Sequence, residues 1–204
     1  SGSPYLPLND LKNGEILHLP TGLKVNFDQM QNAISSSRVI YIGETHDNIE
    51  AHRAQLEIIE DLAKRFPGKI SVGMEMFRRS AQQNLNQWNK GELSSGQFKN
   101  LFRKNWGNGY ALYKSIFEFL NKNHIPLIGL KSSKKTEDTF RGNDQPGQND
   151  LPKIDFNDRY HRPFSMSIFG GHQAMEKPYR MLLLWEETMA QTVADFLINP
   201  SNIN

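Results

Sequence analysis

The first part of the chain alternates apolar and polar positions as a β-hairpin does. Residues 15–19 and 23–27 form two such runs, and the intervening residues 20–22, Pro-Thr-Gly, favour a turn. A short helix is predicted next, with Asp28 as its capping residue. The chain is therefore expected to open with a hairpin followed by a helix.

Farther along, apolar runs of strand length alternate with longer amphipathic stretches. Buried strands are predicted at three apolar runs, namely residues 38–42, 69–76 and 125–130. Helices are predicted at residues 48–66, with Asp47 or Asn48 as the capping residue, and at residues 81–89, 95–104, 108–123 and 178–197. Because strands that alternate with helices pair in parallel through crossovers, we expect an α/β fold with a mostly parallel sheet flanked by helices.

The predicted elements are distributed unevenly along the chain. A length of 204 residues suits a single α/β domain over residues 1–204. Within it, residues 80–123 are predicted to be helical throughout and form a small helical appendage. Residues 131–153 are polar and rich in Ser, Lys, Asp, Asn and Gly, which predicts a flexible loop.

Composition excludes several classes of function. There are 24 Lys and Arg against 22 Asp and Glu, a net charge of +2 that gives no reason to expect a nucleic-acid partner. The absence of cysteine excludes disulfides, thiolate nucleophiles, Cys-ligated zinc and iron–sulfur clusters. No apolar run approaches the ~20 residues of a membrane span. We therefore expect contact with a membrane only through a lipid anchor that this sequence does not include.

Acidic and imidazole side chains follow two of the predicted strands. Glu44 and His46 come directly after the first strand of the expected sheet, and Glu75 lies near the end of the next. In open α/β sheets ligands bind outside the carboxyl ends of the strands, so these side chains are expected to share one rim. Such O and N donors suit a divalent metal or an acid/base pair. The alternative is a structural ion pair of Glu75 with Arg78 or Arg79.

Two further polar residues fall on apolar helix stripes. His52 lies within the buried stripe predicted for residues 48–66, and Glu186 lies within that of residues 178–197. Polar groups in such positions need partners, which makes both side chains candidates for the same pocket. A lone histidine on an apolar stripe is, however, more often a core residue than a ligand.

Tyrosine and histidine side chains can both bind haem iron as axial ligands. The haem-binding candidates of this kind are Tyr110, Tyr113, Tyr160, His161 and His172. Their spacing does not by itself require haem, and tyrosines near helix starts commonly pack against the core. The sequence has no Gly-x-Gly-x-x-Gly, phosphate-loop or nucleophile-elbow motif.

The same segments resemble the ChaN-like haem-binding lipoproteins, part of the superfamily that contains the Tiki proteases and erythromycin esterases. The similar blocks are residues 39–48 with His52 and Gln55, residues 73–77, Gln83, residues 106–107, Tyr113, residues 129–130 and residues 184–190. The resemblance implies an α/β core with a helical appendage, and it carries Glu44, His46 and Glu75 over as pocket positions. Lys131 stands where the family usually has Asn, and Glu186 where it usually has Asp.

Two functions from different classes follow. The leading hypothesis, implied by the resemblance, is a haem-binding protein of the bacterial periplasm or outer membrane that takes part in haem or iron uptake. The alternative is a metal-dependent hydrolase in which Glu44, His46 and Glu75 hold a divalent metal. A scaffold whose polar groups only stabilise the fold is a third interpretation, and both enzymatic activity and a homodimer are left open.

Overall fold

The computed structural model describes residues 11–142, 151–168 and 176–199. The chain divides into two compact units, Ser1–Gly68 and Lys69–Asn204, and each is described by itself. The prediction of one domain over the whole chain stays a prediction. Within the described ranges, no helix is both long and apolar enough to cross a membrane.

The N-terminal unit opens with the predicted hairpin. Strand β1 (Ile16–His18) pairs antiparallel with β2 (Leu23–Val25), which confirms the prediction. Helix α1 (Phe27–Ile34) follows directly. Its capping residue is Asn26 and not Asp28, because the Asn26 side chain accepts the Gln29 N–H in a reciprocal capping box.

Helix α2 (Ile49–Arg65) is the longest element of this unit and confirms the predicted helix. It begins after Asn48, whose side-chain oxygen accepts hydrogen bonds from the N–H groups of Glu50 and Ala51. Since the cap fixes where the helix starts, His52 is placed in its first turn, on the buried side.

The predicted buried strand at residues 38–42 is wrong. In the part of the chain that the structure describes, residues 38–45 form no strand, and Tyr41 is 80% exposed. A β-branched run favours a strand only where a neighbouring strand supplies ladder hydrogen bonds. This segment makes none, so its composition alone was misleading.

Two parallel strands form the sheet of the C-terminal unit. Strand β3 (Val72–Arg78) pairs with β4 (Leu127–Lys131), with Met74 opposite Gly129. An irregularity follows Met74 and brings Arg78 opposite Lys131 at the carboxyl ends of both strands. Helices flank this pair, which confirms the predicted α/β class.

Helices make up most of the C-terminal unit. They are α3 (Gln82–Asn89), α4 (Ser95–Asn105), α5 (Tyr110–Lys122), α6 (Lys134–Gly142), α7 (His161–Ile168) and α8 (Glu176–Ile198), and a 3₁₀ turn spans Arg79–Ala81. The predicted helices within residues 81–123 and the last long helix are confirmed. That α3 to α5 constitute an appendage stays a prediction.

Helix α6 occupies part of the segment predicted as a flexible loop, so that prediction is wrong over residues 134–142. The hydroxyl of Ser133 accepts the N–H of Thr136 at 3.0 Å and stabilises the helix start. Phe140 is then buried from an otherwise polar helix. Because Phe140 is the single apolar residue of α6, the sequence has no amphipathic pattern from which this helix could be predicted. Residues 143–150 lie outside the described residues.

Aromatic side chains fill the core between β3 and the helices after it. The ring of Phe77 lies 5.6 Å from Phe98, 5.9 Å from Phe102 and 5.8 Å from Phe117. Trp88 stacks on Phe98 at 4.1 Å. These rings fix α4 and α5 against β3 and so hold the carboxyl end of the sheet in place.

Candidate functional site

In the N-terminal unit, three predicted site residues lie together. The Oε1 of Glu44 is 2.7 Å from the Nδ1 of His46, and its Oε2 is 2.8 Å from the Nδ1 of His52. Glu44 and His52 are buried, whereas His46 is more than half exposed. One carboxylate therefore joins an exposed imidazole to a buried one.

The proton positions of His52 follow from its contacts. Its Nε2 lies 3.1 Å from the carbonyl oxygen of His46, which only accepts, so Nε2 carries a hydrogen. Its Nδ1 faces Glu44 and also lies 3.2 Å from the Oε1 of Gln55. The carboxylate of Glu44 therefore contacts the Nδ1 atoms of both His46 and His52.

In the C-terminal unit, Glu75 has a partner that the sequence pattern did not indicate. Its Oε1 lies 3.9 Å from the Nζ of Lys131 at the end of the neighbouring strand. Arg78 instead contacts Glu137 at 2.7 Å, and Arg79 contacts an aspartate of α8. The alternative of a Glu75–arginine pair is therefore wrong, since a lysine of β4 takes that position.

The ammonium of Lys131 is enclosed by two indole rings. Its Nζ lies 4.1 Å from the centre of the Trp185 ring and 5.2 Å from that of Trp106. Burial lowers the pKa of Lys131, while the nearby Glu75 and Glu137 act in the opposite direction. Aromatic faces and carboxylates thus replace much of the water around this cation.

Glu137 holds this arrangement together from α6. Its Oε1 accepts hydrogen bonds from the Nη1 of Arg78 at 2.7 Å, the Nε1 of Trp185 at 2.9 Å and the hydroxyl of Ser132 at 3.2 Å. Burial raises the pKa of Glu137, but the hydrogen bonds and the charge of Arg78 outweigh it, and the pKa lies below its usual value. Sequence reasoning missed Glu137 because it assigned the residue to a loop.

The divalent-metal alternative has no support. No group of three His, Asp or Glu side chains is placed to hold a metal ion among residues 11–142, 151–168 and 176–199. Within its own unit, Glu75 faces an ammonium rather than other acidic ligands. Glu44 and Glu75 belong to different units, so their convergence at one rim stays a prediction.

Glu186 does not lie buried on the apolar stripe of α8, and that prediction is wrong. Its side chain is 43% exposed, and its Oε2 lies 2.9 Å from the Nε2 of His161. The helical spacing places it at the edge of the stripe, where α7 supplies an imidazole as its partner. His161, a haem-binding candidate, is thereby engaged in fastening α7 to α8.

Two of the candidate tyrosines have packing roles. Tyr113 is 1% exposed, with ring centroids 5.6 Å from Phe102 and 6.1 Å from Phe117. Tyr110 stacks on Phe117 at 5.6 Å, and burial, with a smaller effect of Glu118, raises the pKa of its phenol. Tyr113 therefore belongs to the aromatic core, and Tyr110 packs against that core while remaining half-buried.

Tyr160 differs from them in exposure. It is 71% exposed, and its phenolic oxygen accepts a hydrogen bond from the Nη2 of Arg159 at 2.6 Å. Phe164, one helical turn farther on, is 68% exposed. The Oδ1 of Asp158 accepts the N–H groups of Tyr160 and His161 and fixes the start of α7. An exposed phenol and an exposed phenyl ring therefore lie one turn apart.

His172, the remaining candidate, lies outside the described residues. Sequence reasoning had selected Tyr160 without its two neighbours. The signals for them were present, because Arg159 precedes it directly and Phe164 follows at the i+4 spacing of one helix face.

A comparison with known families decides the relationship of this chain. The model of the family described as "Haem-binding uptake, Tiki superfamily, ChaN" matches residues 30–203. The chain belongs to this family. The resemblance found in separate blocks of sequence is thereby confirmed over most of the chain.

A solved structure shares the fold of this ChaN-family chain. Described as "Cofacial heme binding to ChaN of Campylobacter jejuni", it matches with a TM-score of 0.69 and 19% sequence identity. The match covers 91% of this chain and 75% of the other. No curated protein sequence matches the chain.

Proposed function

We propose that this chain binds haem and serves haem uptake, with Tyr160 as the axial ligand of the iron. Two comparisons support the ligand: the description of the family and the cofacial haem binding of the Campylobacter jejuni protein. The observation that carries the choice of residue is the exposed phenol of Tyr160 with Arg159 hydrogen-bonded to its oxygen.

The donor set of the described residues fits haem. Tyrosine oxygen and histidine nitrogen are established axial donors, and the candidate positions supply both. An axial donor must reach an iron at the centre of a wide planar ring, which requires open space around the donor. Tyr160 has that space, whereas Tyr113 is buried and Tyr110 is half-buried with its ring stacked on Phe117. The Nε2 of His161 is already paired with Glu186.

The surface beside Tyr160 suits a porphyrin. Phe164 exposes a flat apolar side chain one turn along α7, and the faces of a porphyrin are themselves flat and apolar. The start of α7 is held in place by two contacts. Asp158 caps the helix, and the pairing of His161 with Glu186 fastens it to α8. A fixed donor beside an exposed aromatic ring gives haem both a bond and a contact surface.

The cellular setting is part of the same proposal. A role in haem uptake supports a place in the bacterial periplasm or at the outer membrane, where a lipid anchor would hold the protein. Fractionation of cells that express the full-length gene tests the location. Sedimentation velocity with and without haemin tests whether a homodimer forms.

Titration with haemin tests the proposal. The purified protein should shift the haemin Soret band in a saturable way, and Tyr160→Phe should weaken binding by about tenfold or more. Tyr110→Phe is the matched control, since it removes a phenolic oxygen from a packed ring, and it should bind as the parent does. A parent protein that leaves the haemin spectrum unchanged would end the proposal, whereas unchanged binding by Tyr160→Phe would remove only the assigned ligand.

A further inference from the structure

We propose that the cavity at the turn from α4 to α5 is a binding site for a dianionic phosphate group. Inorganic phosphate and the phosphate monoester headgroup of a lipid both present this group. The proposal goes beyond haem binding and does not depend on it. It follows from the size of the cavity, from two cations on one face of α4, and from the absence of acidic side chains in the cavity wall.

The cavity is small and polar. It has a volume of about 270 Å³ and is lined by residues 99–100, 103 and 107–111. Pockets that hold drug-sized molecules span roughly 300–1,000 Å³, so this one suits a smaller ligand. The carboxamides of Asn100 and Asn108 belong to its lining and supply neutral N–H donors.

Two cations line the cavity from α4. Lys99 and Arg103 are four residues apart, so their side chains lie on the same face of the helix, where like charges repel each other. Within the described part of the chain, neither side chain forms a salt bridge. The Nζ of Lys99 lies 6.0 Å from the centre of the Tyr110 ring, across the cavity from α4. The pair therefore brings two uncompensated positive charges to the cavity wall.

The lining contains no aspartate or glutamate. The carboxylate of Glu118 contributes to the raised pKa of Tyr110, after the larger effect of burial, but Glu118 does not line the cavity. It also lies 3.4 Å from the Nζ of Lys114, which compensates its charge. An anion in the cavity thus meets two cations and no carboxylate in the wall.

The start of α5 adds backbone donors to the same cavity. Tyr110 and Ala111 are the first two residues of this helix, and N–H groups in a first turn have no acceptor within the helix. No side chain caps them, because the capping residue is Gly109. A helix start is equivalent to only about half a positive charge, so the two side-chain cations supply most of the charge of the site.

Charge decides which class of anion fits. A phosphate group carries about −1.5 to −2 charges near neutral pH, which matches the two cations, whereas a carboxylate would leave one of them uncompensated. The planar guanidinium of Arg103 can also donate two parallel hydrogen bonds to phosphate oxygens. Lysine binds phosphate as a point charge, so Lys99 needs no particular orientation.

Titration of the full chain with inorganic phosphate, followed by two-dimensional amide NMR at constant ionic strength, tests the proposal. The amide signals of residues 107–111 should shift in a saturable way, and acetate should bind more weakly than phosphate. Arg103→Gln should weaken phosphate binding by about tenfold, the size expected for the loss of one charge-assisted hydrogen bond.

Lys104→Gln is the matched control. Lys104 is the next residue of α4 and is likewise exposed, but it does not line the cavity. Its substitution removes the same charge from the same helix and should leave phosphate binding within about twofold, because exposed charges outside a site are screened by salt. Since both positions are exposed, the thermal unfolding midpoints of the two variants should match that of the parent.

Vesicles of phosphatidylcholine with phosphatidic acid distinguish the two sources of the phosphate group. Flotation with these vesicles that Arg103→Gln reduces and Lys104→Gln does not would support a lipid headgroup, whereas saturation by inorganic phosphate alone would support the free ion. Equal weakening by the two variants would overturn the site, since it would show attraction to a generally basic surface. No saturable response to either phosphate source, or equal binding of acetate and phosphate, would overturn it as well.

Discussion

The indole of Trp185 lies 4.1 Å from the ammonium of Lys131 while its Nε1 donates a hydrogen bond to Glu137 at 2.9 Å. One side chain of α8 therefore joins the end of β4 to α6. The position of Lys131 beside Glu75, at the carboxyl end of the sheet, depends on this connection. Several consequences of the arrangement can be measured.

Replacing Glu137 should be costly. Glu137→Gln removes the charge that compensates Arg78 and weakens the hydrogen bond from Trp185, so the free energy of unfolding should fall by about 3 kcal/mol. Asp138→Asn is the control, because Asp138 is exposed and only contacts Arg141 at 3.7 Å, and its effect should stay below about 1 kcal/mol. Urea unfolding measures both. Equal effects of the two changes would contradict a stabilising role for the Glu137 network.

Acidification should remove the same contribution. The pKa of Glu137 in the folded protein lies below the ordinary value of 4.5, so the folded state binds this proton less readily than the unfolded state. Its stabilising effect is complete above that ordinary value and is lost as the pH falls through the folded-state pKa. The difference in unfolding free energy between the parent and Glu137→Gln should therefore shrink on acidification below pH 4.5. A difference that stays constant or grows would show that the sign is wrong.

The charge of Lys131 should oppose stability, whereas the charge of Glu137 supports it. Burial lowers the pKa of Lys131, so the charged ammonium destabilises the folded state at pH values below the folded-state pKa. This cost is relieved as the pH rises from the folded-state pKa to the ordinary value. Lys131→Met removes the charge with little change of volume and should alter the unfolding free energy by about 1 kcal/mol or less. In alkaline titration up to the ordinary value of 10.5, thermal midpoints of the parent should rise relative to this variant. A relative fall would contradict the assignment.

Gly129 of β4 lies directly against the backbone of β3. A Cβ built there would lie 2.5 Å from the carbonyl oxygen of Arg78, which is too close for the backbone to remain in place. Gly129→Ala should lower the unfolding free energy by about 2 kcal/mol. At Gly43 a Cβ meets nothing within 4 Å, so Gly43→Ala should stay within about 0.5 kcal/mol. Chemical denaturation of both variants tests the packing of β3 on β4, which a tolerated alanine at Gly129 would refute.

Sequence patterns succeeded where the local signal was also the structural cause. The hairpin, the start of α2 within one residue and the fold class follow from turn residues, caps and the alternation of strands and helices. They failed at residues 38–42 and 134–142, where tertiary context decides. A strand needs a partner that composition does not reveal, and a polar helix can be held by two buried side chains.

The candidate site residues likewise divide into those with partners close in sequence and those with partners from other elements. Glu44, His46 and His52 are close in sequence, and the structure brings them together. The partners of Glu75 and Glu186 come from other elements, so the sequence offered no way to identify Lys131 or His161 as their contacts. For Tyr160, the neighbouring residues that give it a role were adjacent in sequence, but only its exposure separates it from the other tyrosines.

Resonance Raman spectroscopy of the ferric haem complex tests axial binding by Tyr160 most directly, because phenolate ring vibrations are enhanced only when a tyrosine oxygen binds the iron. These vibrations should be present in the parent protein, retained in Tyr110→Phe and lost in Tyr160→Phe. Phenolate vibrations that persist in Tyr160→Phe, or a parent spectrum without them, would contradict Tyr160 as the axial ligand.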